Sequence, residues 1–209
     1  MKKNKLILFD WGNIVESHTL DGYSCEKAWK DLFLSCGYDS DEDFFPLLKK
    51  YELSSISNID VFRDVYKKMK KEFGFNTSLK KFIDLYYYYF NKIDYYIDVK
   101  DYEHSLRDKC YIGILSNLMI FDKNRLDRQV DLSKYDFVFL SFELECKKPD
   151  IVLFEKVQSQ LPFSKDDILF IDDRKENIKV AKKFGWNTLC ATALELDKIK
   201  DVCNKFLDM

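Results

Sequence analysis

The chain has 209 residues, which bounds it to one domain or to one domain with a modest insertion. Hydrophobic residues make up 46% and charged residues 33%, a globular composition that excludes a disordered chain. Lys+Arg 34 against Asp+Glu 36 leaves a formal charge of -2, without the basic excess of a nucleic-acid or anionic-membrane binder.

Met1-Lys2-Lys3 carries the charge of a signal-peptide start, but the apolar run Leu6–Phe9 ends at once in Asp10 and is too short for the core of such a signal. That run instead has the length and two-sided apolarity of a buried parallel strand. Residues 24–35 and 41–52 read as helices, with Ser40 and Asp43 resembling a capping box at the start of the second. Val61, Phe62, Val65, Tyr66, Met69 and Phe73 share one face of a helix that Asn58 can cap. Leu79, Phe82, Ile83, Tyr86, Phe90 and Ile93 repeat the pattern after Thr77-Ser78. Within that segment the run Tyr86–Tyr89 reads as helix packing rather than a cofactor box.

Four more strand-like runs follow: Cys110–Leu115, Phe137–Leu140, Ile168–Ile171 and Thr188–Ala191. Between them, Leu153, Phe154, Val157 and Leu161 make a helical stripe soon after Pro149, and Ile178, Ala181 and Phe184 make another that stops at Gly185. Ile199, Val202, Cys203 and Phe206 mark a last helix. No window approaches the roughly 20 apolar residues of a membrane span. The six cysteines show no C-x-x-C spacing, and His18 and His104 are the only histidines, so no zinc pattern is present. Reduced thiols in a cytoplasmic protein are expected.

The order of elements is informative. The last four strands are joined by crossovers short enough for β-α-β units. The first two are separated by the whole stretch from Val15 to Lys109, which holds helical segments and no convincing strand. The expected fold class is therefore α/β: a Rossmann-like parallel sheet core of residues 1–15 and 100–209, with residues 16–99 inserted as an α-helical cap.

Open parallel sheets bind ligands at the carboxyl ends of their strands. Those ends read Asp10-Trp11-Gly12-Asn13, Ser116-Asn117, Lys147-Lys148-Pro149-Asp150 and Asp172-Asp173-Arg174. Three carboxylates converging at one edge repel unless a cation sits among them, and a few hard oxygen ligands suit Mg2+ sharing phosphate oxygens. Asp10 can attack phosphorus and form an aspartyl phosphate. Ser116 and nearby backbone N–H groups can hold phosphate oxygens, and Lys148 supplies fixed positive charge.

These residues resemble the haloacid dehalogenase-like hydrolase superfamily over nearly the whole chain. The four motifs are Leu6-Ile7-Leu8-Phe9-Asp10-Trp11-Gly12-Asn13-Ile14-Val15, Ile114-Leu115-Ser116-Asn117, Lys148-Pro149-Asp150 with Phe154 downstream, and Leu169-Phe170-Ile171-Asp172-Asp173-Arg174-Lys175-Glu176-Asn177. The resemblance implies Asp10 as nucleophile and magnesium ligand, Ser116 and Asn117 at the phosphate, and Lys148 as the charge-neutralising lysine. It further implies Asp173 as the acidic magnesium ligand and Asp172 as a supporting or additional one. Most family phosphatases carry an Asp, a general acid/base, where this chain has Gly12; the carbonyl of Gly12 can still bind the metal, but proton transfer there is unfilled, a loss typically worth about 10²–10⁴-fold. The Asp-x-Gly-Asn arrangement resembles a branch that includes sugar-phosphate phosphatases, and Glu16 and His18 are the nearby substitutes.

The expected activity is Mg2+-dependent hydrolysis of a small phosphorylated metabolite, with sugar phosphates among the candidates and without nucleic-acid or membrane partners. Two alternatives remain: a metal-independent 2-haloacid dehalogenase, against which the pair Asp172-Asp173 speaks, and a non-catalytic binding or regulatory protein, which Gly12 favours.

Overall fold

The computed structural model describes residues 3–18, 22–38, 52–53, 58–129 and 131–208; the helix expected over 41–52, with its Ser40–Asp43 box, lies outside these residues except at its last position. Strand β1, Leu6–Phe9, is buried along its whole length. Its alternate side chains feed two different cores, Ile7 and Phe9 on one face of the sheet and Leu6 and Leu8 on the other, as the two-residue period of a strand requires. The other strands are β2 (Tyr111–Ser116), β3 (Phe137–Leu140), β4 (Ile168–Asp172) and β5 (Asn187–Cys190). They form one parallel sheet in the order β3-β2-β1-β4-β5. β2 and β5 are each displaced by one residue from the apolar runs that announce them.

The chain lays β2 and β3 on one side of β1, then crosses to lay β4 and β5 on the other. This reversal opens a crevice between β1 and β4, where ligands bind in sheets of this kind. Phe9 pairs with Ile171, and Asp10 N–H donates to the Ile171 carbonyl at 2.9 Å, so Asp10 and Asp172 leave the sheet side by side. Gly113 is required in β2 because a Cβ there would lie 2.6 Å from the Phe137 carbonyl oxygen and 2.9 Å from Leu8.

Among the described residues, the sheet is flanked by α4 (Ile97–Ser105), α5 (Ile120–Gln129), α6 (Ser141–Leu144), α7 (Ile151–Gln160), α8 (Lys175–Phe184) and α9 (Leu196–Asp208). Gly185 ends α8 in the left-handed region at φ 109°, where glycine carries no Cβ penalty. Three earlier helices, α1 (Cys25–Ser35), α2 (Asn58–Phe73) and α3 (Leu79–Phe90), build a third apolar cluster of their own. Ser24 and Ser78 cap α1 and α3 by accepting from Lys27 N and Lys81 N, each at 3.2 Å. α2 begins at Asn58 itself rather than one residue later. Trp29, Phe62, Tyr86 and Phe90 form the centre of this cluster, with Tyr86 stacked on Phe90 at 4.1 Å between centroids. In the Tyr86–Tyr89 run only Tyr86 is fully buried, and Tyr88 points outward. All six cysteines are free, five buried and Cys190 half-buried. Among the described residues no helix is long and apolar enough to cross a membrane.

Candidate active site

The site is built where β1, β2 and β4 end. Lys148 Nζ occupies its centre. It lies 2.8 Å from Asp10 Oδ1 and 2.7 Å from Asp172 Oδ2, and donates to the Leu115 carbonyl at 2.8 Å. Its three ammonium protons are therefore all directed. Burial works against the charge on Lys148, but Asp10 and then Asp172 overcome it and hold the lysine above its ordinary pKa. At Asp10 burial is the stronger influence and pushes the carboxyl up, against Lys148, while Asp172 pushes in the same direction as burial.

Asp172 is fully buried and spent on its neighbours. Its Oδ1 accepts from Arg174 N at 2.8 Å and Asn177 Nδ2 at 3.0 Å, and its Oδ2 accepts from Lys148. Asp173 is more open. Its Oδ2 accepts from Asn13 Nδ2 at 2.8 Å, and burial raises its pKa. Asp10, Asp172 and Asp173 each offer an oxygen within 4.8 Å of the others. One ammonium for three carboxylates leaves the cluster short of positive charge, so the donor set fits a hard divalent cation.

Asn13 makes this geometry possible. It sits at φ 59°, a left-handed conformation that Asn tolerates, and ties the turn after β1 to Asp173 across the crevice. Its Oδ1 accepts from His18 N at 3.1 Å. Asn117, expected at the phosphate, spends its side chain elsewhere: Nδ2 donates to the Lys148 carbonyl at 2.9 Å and Oδ1 accepts from Lys148 N at 3.0 Å. This reciprocal pair fixes the Lys148 backbone against the end of β2. Ser116 is buried and faces the same cavity as Asp10 and Lys148.

That cavity has a volume of about 440 Å³, a size suited to a small molecule. It is also lined by Cys25 and Trp29 of α1 and by Glu52. The side chain of Glu52 reaches Lys147 at 2.7 Å, and its carbonyl accepts from Ser141 Oγ at 2.7 Å. The two substitutes for an acid at Gly12 have different fates. Glu16 is buried in a bidentate ion pair with Arg125, at 2.7 and 3.0 Å. His18 lies against Gly12: a Cβ there would meet His18 Cβ at 3.4 Å and Nδ1 at 3.9 Å, and His18 lines the cavity with Asp10.

A second polar centre lines the same cavity and has no counterpart in the sequence reading. Arg125, from α5, is buried between Glu16 and Asp122, with Asp122 Oδ1 3.8 Å away and Tyr95 Oη accepting at 3.0 Å. Tyr86 O–H donates to Asp122 at 2.6 Å. Burial opposes the guanidinium charge, and Glu16 foremost sustains it. Asn177 is a further residue missed in role, although it stands in the fourth motif: its amide fixes Asp172.

The family model of haloacid dehalogenase-like hydrolases matches residues 34–191. No curated protein sequence matches the chain. Among solved structures, the chain is similar to a HAD family enzyme from Bacteroides thetaiotaomicron crystallised with magnesium and inorganic phosphate (TM-score 0.75, 22% identity, 92% of this chain and 96% of that chain). It is also similar to a predicted HAD-like family hydrolase from Porphyromonas gingivalis (TM-score 0.70, 19% identity, 97% and 98% covered). A 2-haloacid dehalogenase from Pseudomonas syringae pv. Tomato shares the fold at TM-score 0.63 and 15% identity, with 88% and 85% covered.

Proposed function

The chain belongs to the haloacid dehalogenase-like hydrolases, and from that premise we propose that it is a Mg2+-dependent phosphatase of a small phosphorylated metabolite, with Asp10 as nucleophile. The observation that carries this reading is the cluster of Asp10, Asp172 and Asp173, two of which share a single lysine. A carbon-attacking dehalogenase has no use for that excess of carboxylate, whereas a dianionic phosphate needs a metal to approach it. Asp10, Asp173 and the Gly12 carbonyl would hold Mg2+, and Asp172 orients Lys148. When bound, Mg2+ supplies the positive charge that lets a carboxylate and a phosphate meet.

Ser116, with backbone N–H groups after β2, binds the phosphate oxygens, and Lys148 supplies fixed positive charge beside them. Asp10 attacks phosphorus; the bond from phosphorus to the leaving oxygen breaks, and an aspartyl phosphate remains. His18 gives its proton to the leaving oxygen. Water then attacks phosphorus, His18 recovers a proton from it, and the bond to Asp10 breaks to release phosphate. Helices α1–α3 act as the cap that keeps bulk water from the aspartyl phosphate. Their separate apolar cluster and the cavity wall that α1 provides support this role. The joint between cap and core is best placed before α4, because Val99 packs into the sheet-side cluster.

The test is hydrolysis of an aryl phosphate with Mg2+ and with EDTA. Phosphate release that stops with EDTA is expected. Halide release from a 2-haloacid without metal, and no phosphate release, would replace this reading with the dehalogenase.

A further inference from the structure

The turn after β1 carries a side chain whose two ends meet opposite kinds of group. Asn13 is buried, and its backbone is fixed from both sides. Its N–H donates to the Glu16 carbonyl at 2.7 Å, and its carbonyl accepts from Ala193 N at 2.8 Å. From this left-handed position, at φ 59°, the amide reaches two segments at once. Nδ2 donates to Asp173 Oδ2 at 2.8 Å, 160 residues along the chain, and Oδ1 accepts from His18 N at 3.1 Å. These partners set the orientation of the amide, because a carboxylate accepts and a backbone N–H donates. Aspartate tolerates the same turn, but it would set a further carboxylate against Asp173 and bring no donor. Glycine also fits the turn and reaches neither partner. His18 is exposed, so its stand beside Gly12 depends on what holds its backbone. Two bonds do: the one from its N–H to Asn13, and the one from Glu26 N of α1 to its carbonyl at 3.1 Å. Asp173 is the more open of the two acids after β4, and the direction of a ligating carboxylate is set by the donors around it.

We propose, resting on the phosphatase reading, that Asn13 is a positioning residue that registers the metal ligand Asp173 and the proton carrier His18 to each other. One planar amide fixes the distance between the group that holds the metal and the backbone of the group that protonates the leaving oxygen. The task of an acid at Gly12 then passes to His18, which is tied to the metal site through Asn13 and to α1 through Glu26 N.

The experiment compares full chains of the wild type, Asn13→Gly and Asn13→Asp. Calorimetric titration with Mg2+ alone gives Kd, and kcat at saturating Mg2+ is measured for an alkyl and an aryl phosphate. Asn13→Gly keeps the left-handed turn and removes both bonds of the amide. Its Kd for Mg2+ should rise about tenfold. Its kcat should fall about tenfold for the alkyl phosphate and about threefold for the aryl phosphate, whose leaving group needs less from His18. In the His18→Ala background that difference between the esters should vanish. Asn13→Asp keeps the acceptor for His18 N, so its ratio of alkyl to aryl kcat should stay within about twofold of the wild type. An unchanged Kd for Asn13→Gly, or a loss of kcat equal for the two esters, overturns the inference and leaves the phosphatase standing. So does an Asn13→Asp ratio that falls as far as that of Asn13→Gly. Should Asn13→Gly not fold, hydrogen exchange in the wild type decides: Mg2+ should slow exchange at the His18 amide by about threefold or more, and an unchanged rate overturns the inference. Absence of phosphate release from both esters by the wild type removes the phosphatase and this inference with it.

Discussion

Two buried cations share one cavity, and each is set between two carboxylates. Lys148 stands between Asp10 and Asp172, and Arg125 between Glu16 and Asp122. The difference lies in the shape of the cation. An ammonium is a compact point charge, and it touches one oxygen of Asp10. A guanidinium is a planar fork that takes both oxygens of Glu16 at once. The first arrangement suits the nucleophile proposed at Asp10, and the second immobilises a carboxylate. Both oxygens of Glu16, close in sequence to Gly12, are thus committed to Arg125, whereas His18 lies against Gly12 and lines the cavity.

The largest effect expected is at Asp10. Asp10→Asn keeps the size and removes the nucleophile, so phosphate release should fall to the uncatalysed level; turnover that persists would take Asp10 out of the mechanism. Next come the two cations themselves. Lys148→Ala and Arg125→Ala each strand buried carboxylates, and removing one partner of such a pair costs about 3–5 kcal/mol. Denaturant unfolding should show similar losses for both. Activity should separate them: Lys148→Ala abolishes turnover of an aryl phosphate, whereas Arg125→Ala weakens it less and through KM. Equal kinetic damage from both would erase the contrast between a reacting and a positioning centre.

His18→Ala should have a smaller effect that depends on the leaving group. For an alkyl phosphate, whose alkoxide needs a proton, kcat should drop by about 10²-fold. For an aryl phosphate with an acidic phenol the drop should be several times smaller. A loss that is the same for both substrates would make His18 a packing residue beside Gly12.

The Lys148 centre was legible in the sequence and the Arg125 centre was not, for physical reasons. Asp10, Ser116 and Asp172 stand just beyond the ends of short apolar runs, and an apolar run flanked by polar residues announces both a buried strand and what it presents; Lys148 follows the third run at a greater distance, just before Pro149. β1 and β3 lie where those runs lie, and β2 and β5 differ by one residue. Arg125 and Glu16 are 109 residues apart, and nothing local marks either as a partner. α5 carries a dense set of charges, Asp122, Lys123, Arg125, Asp127 and Arg128, which hide its periodicity. Asp122 and Arg125 meet their other polar partners, Tyr86 and Glu16, only in the fold. α4 is concealed in the same way, since Ile97 and Val99 are interleaved with Asp98, Lys100 and Asp101. Asn117 was placed correctly at the end of β2, but its use as a clamp on the Lys148 backbone depends on a loop 31 residues away.

A fifth buried carboxylate sharpens the comparison, because among the described residues no cation touches it. Glu103, on α4, is fully buried and accepts from Tyr135 O–H at 2.8 Å, while its Oε1 has no hydrogen-bond partner among the described residues. Burial pushes its pKa from 4.5 up to about 8; the Tyr135 hydrogen bond, Lys100 and Arg107 only moderate the rise. The folded protein therefore holds a proton on Glu103 that the unfolded chain releases. Between about pH 4.5 and pH 8 the native state binds more protons than the unfolded one, so this group's contribution is fully present below pH 4.5 and is lost as pH rises toward 8. At its steepest the loss is about 1.4 kcal/mol per pH unit. Glu103→Gln keeps the acceptor for Tyr135 and cannot ionise, so its stability should fall less steeply than that of the wild type over this range. Denaturant midpoints measured for both proteins at about pH 5, 6, 7 and 8 read the difference directly, because titration of Asp10 and Asp173 is common to both. Parallel curves would mean that Glu103 is ionised in the fold, with Lys100 and Arg107 doing for it at a distance what Arg125 does for Glu16 in contact.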